Sequence, residues 1–346
     1  MIKKVRIKNF KCYGPQGVDF NLSKINFIFG DNSAGKSTFL QFLDKIYDVC
    51  NLEGKCDGKK LDKYLFRRQG GAISAKLRVL MEGTNEEVWS FAKSDSGSEE
   101  YQLTDSKDSF VGLDQLRRVL PARKPVVHVV ANRKSAVNKV TDDESELMRF
   151  QKDAERLVSE ENLSSEQEGV NDILKRLGIP YSCVVATSEG VDSVSREMIH
   201  DNDFDIDIRL GEVGTGIEGL VELAMTLNVW EGGLLALEEP ETNVNEGQMA
   251  ALAKVLVEEA KKRESGQLIV ECHSKIMALQ LVEMVRNRLL VCGTGSESNL
   301  SVLVVRKSVD GTRIDEVKID QNGDVDWPMG FFPAEGKLLR ESYGIS

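Results

Sequence analysis

Short apolar runs alternate with stretches of helical periodicity along most of the chain. At the start, Val5 and Ile7 alternate with charged residues, Gly14-Pro15-Gln16-Gly17 marks a turn, and Val18-Asp19-Phe20 resumes an extended pattern. This predicts strand, turn, strand over residues 1–29. Ile25-Asn26-Phe27-Ile28-Phe29 is a buried-type strand, and Phe39, Phe42, Leu43 and Ile46 recur at helical spacing after it. Residues 50–62, rich in Gly and Lys, predict a loop, and Ile73 to Glu82 alternates as a strand. The polar stretch 93–109 predicts a hairpin tip or a mobile loop. Pro125-Val126-Val127-His128-Val129-Val130-Ala131 is a second buried-type strand, ending in Asn132-Arg133-Lys134.

The second half repeats the alternation. Residues 142–178 are acidic, with Leu147, Phe150, Ala154 and Leu157 on one helical face and Val170, Ile173, Leu174 and Leu177 on another; Gly178 and Pro180 close them. Too short for a long coiled coil, they predict a compact helical insertion. Phe204 to Leu210 alternates as a strand. Gly211-Glu212-Val213-Gly214-Thr215-Gly216 is a glycine-rich turn opening a helix with Ile217, Leu220, Leu223, Ala224 and Leu227 on one face. Gly233 to Leu237 predicts a buried strand, Met249 to Ala260 a helix, Gly266 to Glu271 a strand, and Lys275 to Arg288 a helix. Leu289 to Cys292 and Ser301 to Val305 predict further strands. Strands alternating with helices imply a mostly parallel sheet covered on both faces.

Three places on this frame carry chemistry. Gly30-Asp31-Asn32-Ser33-Ala34-Gly35-Lys36-Ser37 reads G-x-x-x-x-G-K-S, between a predicted strand and a predicted helix that begins near Thr38. Glycines let the backbone curl so that its N–H groups surround phosphates, and the helix directs its positive end at them. Lys36 can reach the β- and γ-phosphates of a nucleotide, and the Ser37 hydroxyl can ligate Mg²⁺. A glycine turn before an ordinary helix would not need the Lys-Ser pair at this spacing.

The second place is Leu234-Leu235-Ala236-Leu237-Glu238-Glu239, four apolar residues ending in two carboxylates. A buried strand of this kind delivers its acids to a sheet edge. Glu238 is placed to hold Mg²⁺ directly or through water, and Glu239 to orient and polarise an attacking water. The usual first acid is Asp; Glu is one methylene longer. The bland alternative is an acidic surface turn after a core strand. The third place is His273, followed by Ser274 after the next strand. A histidine there can hydrogen-bond a γ-phosphate or the attacking water, although a lone histidine is more often a structural residue.

Composition narrows the setting. The 346 residues are 41% hydrophobic and 29% charged, enough for one large or two smaller domains. No apolar stretch reaches the roughly 18 residues that span a bilayer, and the N-terminus lacks the apolar core of a secretory signal. Six scattered cysteines without a C-x-x-C pair, and three histidines, argue for reduced thiols in the cytoplasm rather than a structural zinc. A net charge of −11 argues against coating nucleic acid with the whole surface. Local basic clusters remain: Lys59, Lys60, Lys63, Arg67 and Arg68; Arg117, Arg118, Arg123 and Lys124; and Arg133, Lys134 and Lys139. Each also reads as solvated charge on loops and helix edges.

The order of these motifs resembles a family. P-loop, glycine-rich turn before a helix, apolar strand ending Glu-Glu-Pro-Glu, then Glu-Cys-His-Ser is similar to the ABC-type ATPase heads of the SMC/RecF/OLD group. Trp327-Pro328-Met329-Gly330-Phe331-Phe332 resembles the C-terminal signature of its small OLD-like prokaryotic branch. The resemblance implies an α/β P-loop NTPase with a mostly parallel central sheet, an antiparallel N-terminal β-part and a short helical insertion. The head would occupy residues 1–140 and 200–306, the insertion 141–199 and a C-terminal tail 307–346.

By the same resemblance, ATP and Mg²⁺ are the cofactors. Gly30, Asp31, Asn32, Ser33, Ala34, Gly35, Lys36, Ser37 and Thr38 would bind nucleotide; Ser37, Glu238 and a lid residue, Gln69, would serve the metal; and Glu239, His273 and Lys36 would be catalytic. Two copies would sandwich ATP, with Gly214, Thr215 and Gly216 of one facing the γ-phosphate held by the other. Relatives often carry E-P-E-x-H-x-H where this chain has Thr242-Asn243-Val244-Asn245. No Toprim nuclease domain and no long coiled-coil arms are legible. The implied protein is an ATP-hydrolysing head that gates a separate effector, a nuclease or toxin, in bacterial anti-phage defence, with no membrane partner. A DNA-repair head acting on DNA directly, or an ATP-bound scaffold that stores an effector, are the alternatives.

Overall fold

The computed structural model describes residues 1–51, 55–57, 64, 72–80, 86–93, 100–107, 109, 111, 160–188, 191–293, 298–328 and 331; within these, the side chains of 44, 47–51, 55–57, 80, 100, 160–165, 185–188 and 191–197 stand outside the description. The chain divides into two compact units. One comprises Met1–Val127, Gly232–Ala236 and Glu264–Ser346, the other His128–Glu231 and Leu237–Arg263.

Two sheets build the first unit. The antiparallel one has strand order β2-β1-β5-β6-β7-β4, from β1 (Ile2–Lys8), β2 (Val18–Asn21), β4 (Lys55–Asp57), β5 (Ser74–Leu80), β6 (Glu86–Lys93) and β7 (Glu100–Thr104). The other has the order β11-β12-β3-β13-β14, from β3 (Ile25–Gly30), β11 (Gly233–Glu238), β12 (Gly266–Glu271), β13 (Leu300–Ser308) and β14 (Gly311–Val317). β3 runs parallel to both β12 and β13, and β14 turns back antiparallel on β13. The continuous apolar runs of β3, β11 and β12 fit their positions, for nearly every residue in them is buried.

Helix α1 (Lys36–Asn51) supplies Phe39, Leu40, Phe42, Leu43 and Ile46 to a core shared with Val5 and Ile7 of β1, Ile28 of β3, Leu77 and Val79 of β5, and Leu303 of β13. Aromatic rings chain this core together. Phe20 stacks on Phe39 with centroids 3.9 Å apart, Phe10 meets Phe42 edge-on, and Phe91 touches both Phe42 and Tyr101. Removing a ring as fully buried as Phe39 typically costs about 3–5 kcal/mol, so the helix that follows the glycine loop is firmly held.

The second unit holds α2 (Glu160–Arg176), the hairpin β8 (Tyr181–Ser188) and β9 (Val191–Asp201), β10 (Ile206–Arg209), α3 (Thr215–Val229) and α4 (Glu246–Lys262). The strands form an antiparallel sheet, β10-β9-β8. α2 buries Val170, Ile173 and Leu174, and Leu177 just past its end is buried with them, the face expected from periodicity. α5 (Lys275–Arg286) follows β12 in the first unit.

Several local expectations are corrected. The 50–62 segment is not all loop: α1 runs to Asn51, and Lys55–Asp57 pairs with β7, so backbone pairing overrides its Gly/Lys composition. Glu100–Thr104, inside the expected hairpin tip, is a strand on β6. The extended run at Phe204–Leu210 shortens to Ile206–Arg209 and ends in a 3-10 turn, Leu210–Glu212; its apolar positions Phe204 and Ile206 are exposed. Among the described residues, Leu289–Cys292 makes a single bridge, Cys292 to Leu300. The hairpin β8–β9 falls largely within residues 141–199, expected as a helical insertion, so that segment is not all helix. The strand at 125–131, its Asn132-Arg133-Lys134 end, residues 142–159, Gln69 and all three basic clusters lie outside the described residues. No helix among the described residues is long and apolar enough to cross a membrane.

Candidate functional site

β3 ends at Gly30, and the backbone there leaves no room for a side chain. Its φ is +145°, and a Cβ would sit 2.1 Å from the carbonyl oxygen of Val305 on the paired strand β13. The loop then curls through Ser33 at φ +61° and Gly35 at φ +116°. A Cβ on Gly35 would come within 2.6 Å of Cys12 Sγ and 2.9 Å of Thr312 Oγ1. Glycine is therefore required at both ends of the loop, for close approach as much as for torsion. Neighbours brace the curl: Tyr13 Oη donates to the Gly35 carbonyl (2.6 Å) and Thr312 Oγ1 to the Ala34 carbonyl (2.9 Å). Burial, with Cys12 and Glu271 nearby, pushes the Tyr13 hydroxyl well above the usual tyrosine range, so it stays a neutral donor.

The loop encloses a charged centre. Lys36, the first residue of α1, is 3% exposed and donates from Nζ to the carbonyls of Gly30 (3.0 Å) and Asp31 (3.1 Å), with His273 Nδ1 at 3.5 Å. Ser37 Oγ donates to Glu271 Oε1 at 2.7 Å, and Lys36 Nζ lies 3.9 Å from the same carboxylate. β12 delivers Glu271 here because it pairs in parallel with β3, Glu271 opposite Ile28; Cys272 extends the ladder by donating its N–H to the Ile28 carbonyl (3.1 Å). Ser274 caps α5, its Oγ accepting from the Met277 N–H (3.2 Å). His273 is thus held between the end of a buried strand and a capped helix.

These parts suit one class of ligand. A glycine loop at the positive end of a helix offers backbone N–H groups to an anion. The ammonium of Lys36 adds a point charge. The hydroxyl of Ser37 and the carboxylate of Glu271 are hard oxygen donors, the kind Mg²⁺ accepts beside phosphate oxygens. The expected loop residues Gly30 to Thr38 are together in this unit, and His273 joins them. Thr38 Oγ1 lies 3.5 Å from Cys12 Sγ.

In the second unit, Glu238 ends β11 and Glu239 takes a left-handed conformation, φ +46°, that bends the chain out of the strand. Thr242 closes this turn: its N–H donates to the Glu239 carbonyl (3.0 Å) and its Oγ1 to Glu239 Oε2 (3.4 Å). Asn243 is also left-handed, and Asn245 caps α4 by accepting from the Gln248 N–H. The expected signature turn packs on this segment. A Cβ on Gly216 would meet the Asn243 carbonyl oxygen at 2.0 Å, so Gly216 has a packing reason to be glycine. Gly214 and Thr215, at the start of α3, are exposed. Gln69 lies outside the described residues.

Sequence reasoning passed over several residues of the loop's surroundings. Tyr13 and Thr312 come from distant turns and carry no motif. Glu271 was visible as the first residue of Glu-Cys-His-Ser, a carboxylate ending a buried strand as Glu238 does, but had been given no role. At the C-terminus Phe331 stacks on Trp327 (centroids 4.7 Å apart) and meets the ring of Phe29 edge-on at 5.7 Å, which sets part of the signature against the strand that leads into the loop.

Known proteins agree with this architecture. A family model described as an AAA ATPase domain matches residues 1–110. No curated protein matches the chain. Among solved structures, an SMC head bound to the C-winged helix domain of ScpA superposes with a TM-score of 0.65 at 14% identity, covering 92% of this chain and 98% of that one. The SMC head domain from Thermotoga maritima gives 0.55 at 16% identity, covering 92% and 99%. The Smc head with an extended coiled coil bound to the C-terminal domain of ScpA, derived from Pyrococcus furiosus, gives 0.59 at 14% identity, covering 99% of both chains. The chain has the fold of an SMC head, a P-loop NTPase fold of the ABC-head type.

Proposed function

We propose that this chain is an ATP-binding and ATP-hydrolysing head that pairs with a second copy of itself around nucleotide and so gates a separate effector. The convergence of Lys36, Ser37, Glu271 and His273 on the glycine loop carries this reading. The Gly30–Thr38 segment binds the phosphates of ATP, Lys36 reaches the β- and γ-phosphates, and Ser37 with Glu238 serves Mg²⁺, which neutralises charge on the phosphates when bound. Gln69 is proposed as a lid residue beside the metal. Glu239 orients the attacking water, and His273 contacts the γ-phosphate. The exposed Gly214 and Thr215 of one copy, with Gly216 behind them, complete the site of the other.

The effector is a nuclease or toxin, and the setting cytoplasmic anti-phage defence of the OLD-like kind. These finer points rest on the resemblance of motif order and of the C-terminal signature. Two SMC heads of this fold were solved bound to a domain of a separate protein, ScpA, which is a precedent for a head that works on a separate partner.

Glu239→Gln tests the reading. The variant should bind ATP, sediment as a dimer in ATP but not in ADP, and lose turnover by about 10²- to 10⁴-fold, the usual contribution of a positioned base. Unchanged turnover would remove Glu239 from the reaction, and a monomer in saturating ATP would remove the paired head. The ATP-trapped variant is then the bait for affinity purification from its native host: a nuclease or toxin retained with ATP and released with ADP supports gating, whereas DNA alone favours direct action on DNA.

A further inference from the structure

We infer that Tyr13 and Thr312 are positioning residues for phosphate: their hydroxyls fix two consecutive peptide planes of the glycine loop, so that the Gly35 and Lys36 N–H groups are turned to an incoming phosphate chain. The inference rests on the nucleotide reading above and deepens it, assigning part of the recognition to two side chains outside every motif.

Peptide geometry is the first reason. A trans peptide plane holds its C=O and its N–H on opposite edges, so fixing one fixes the other. Thr312 Oγ1 donates to the Ala34 carbonyl at 2.9 Å, which directs the Gly35 N–H away from Thr312. Tyr13 Oη donates to the Gly35 carbonyl at 2.6 Å, which directs the Lys36 N–H away from Tyr13. The two donors stand on one side of the loop: a Cβ on Gly35 would meet Thr312 Oγ1 at 2.9 Å and the Tyr13 ring at 3.3 Å. Both N–H groups therefore face away from a common wall. Gly35, at φ +116°, needs such a hold, because glycine has the widest choice of torsions.

Rigidity of that wall is the second reason. Tyr13 is fully buried and Thr312 is 8% exposed. The Tyr13 N–H donates to the Phe10 carbonyl (2.8 Å), and its ring meets Phe20 edge-on at 5.8 Å. The Thr312 N–H donates to the Cys12 carbonyl (3.0 Å). Gly311, the first residue of β14, lies so close to the same turn that a Cβ would sit 2.9 Å from both the Cys12 carbonyl oxygen and the Gly14 nitrogen. The turn at 10–14 and the start of β14 thus lock together behind the loop. Burial keeps the Tyr13 hydroxyl protonated and a donor. N–H groups fixed in advance need no rearrangement when a negative charge arrives, which is what makes preorganised donors effective.

The test uses the full chain with Tyr13→Phe and Thr312→Val, which keep the shape and remove the hydroxyl, and Thr312→Ser, which keeps it. ATP affinity is measured by calorimetry well below the unfolding midpoint of each variant, and the backbone amides of Gly35 and Lys36 are followed by NMR with and without ATP. Tyr13→Phe and Thr312→Val should each bind ATP about tenfold more weakly, the scale of one lost hydrogen bond, and Thr312→Ser within about twofold of wild type. The amides should respond selectively. The ATP-induced shift of Gly35 should fall most in Thr312→Val, and that of Lys36 most in Tyr13→Phe. A merely structural role would lower the unfolding midpoint while leaving the affinity of the folded protein and both amide shifts as in wild type; that result overturns the inference. So does a loss of affinity in which the two amides respond alike in both variants. Wild type that binds no ATP would refute the nucleotide reading itself, a distinct result. If Tyr13→Phe does not fold, the Thr312 pair decides alone: weaker binding in Thr312→Val with recovery in Thr312→Ser supports the inference, and equal affinity in the two overturns it.

Discussion

Two glutamates, one in each unit, are equally hidden from water and are met very differently by their neighbours. Glu259, on α4, has a side chain 3% exposed. Its carboxylate lies 2.6 Å from Arg176 Nη1, 2.7 Å from Lys262 Nζ and 2.7 Å from Arg263 Nη1. Arg263 also donates to the carbonyls of Leu227 and Trp230 and lies over the Trp230 ring, so one carboxylate ties together the ends of α2, α3 and α4. Burial would raise the carboxyl's pKa, but hydrogen bonds from Lys262, Arg176 and Arg263 hold it down at about 2. Glu271 is 1% exposed, receives a neutral hydroxyl at 2.7 Å and has its ammonium neighbour at 3.9 Å. A buried charge whose cations are all at contact distance is finished as structure. Glu271 instead accepts from a hydroxyl of the glycine loop and forms an ion pair with the loop's lysine, so its carboxylate is tied to the candidate site.

The comparison is broken most directly by neutralising each acid in turn. Glu259→Gln leaves Arg176 and Arg263 without their common counter-charge and should destabilise the fold by about 3–5 kcal/mol, as breaking a buried ion network does. ATP affinity should stay within about twofold, since no loop residue is touched. Glu271→Gln, which keeps an acceptor for the Ser37 hydroxyl, should destabilise the fold by less than Glu259→Gln. Equal losses of stability in the two variants would erase the distinction. Acid titration gives the same contrast with a sign. The folded Glu259 carboxyl sits at about 2 against an ordinary value of 4.5, so its stabilisation is present above pH 4.5 and is lost as pH falls from there towards 2. That term amounts to about 3 kcal/mol, and in Glu259→Gln the unfolding curve should flatten by that amount over this window.

Lys36→Ala tests the other side. Removing the ammonium should weaken ATP binding by about 100-fold, or roughly 3 kcal/mol, while costing less stability than Glu259→Gln because Lys36 bonds mainly to two loop carbonyls. Full retention of binding would remove the loop from nucleotide recognition. A loss of folding as large as that of Glu259→Gln would place Lys36 among the structural charges.

What could be read from the chain follows the same division. Gly30 to Ser37, the buried run ending at Glu238 and the His273-Ser274 pair were legible because their signals are local: glycine torsions, an unbroken apolar strand, and a polar pair directly after a buried strand. Glu259 was not, for its meaning lies in cations from Arg176 and Arg263, the first of them 83 residues away. Tyr13 and Thr312 were missed for the same reason; their hydroxyls brace Gly35 and Ala34 from turns with no periodicity of their own. The hairpin β8–β9 escaped because its register shifts between Cys183 and Val185, which breaks the two-residue alternation that identifies a strand. β4 escaped because three residues are too few to show a pattern.

The smallest predicted effect separates the two helix starts that follow the acidic strands. Asn245 caps α4 by accepting from Gln248, and Ser274 caps α5 by accepting from Met277. Removing either side chain, as Asn245→Ala or Ser274→Ala, should cost about 1 kcal/mol, the usual value of an N-cap, read as a matched shift in the denaturant midpoint. Function should distinguish them. Asn245 lies six residues past Glu239, beyond a turn that Thr242 closes independently, so turnover should be unchanged once the loss of stability is corrected for. Ser274 adjoins His273 directly, and fraying the first turn of α5 frees the backbone that aims the imidazole towards Lys36. Turnover should therefore fall several-fold with KM unchanged, and Ser274→Thr, which retains a capping hydroxyl, should restore it. Equal turnover in both alanine variants would show that the position of His273 is set by β12 alone.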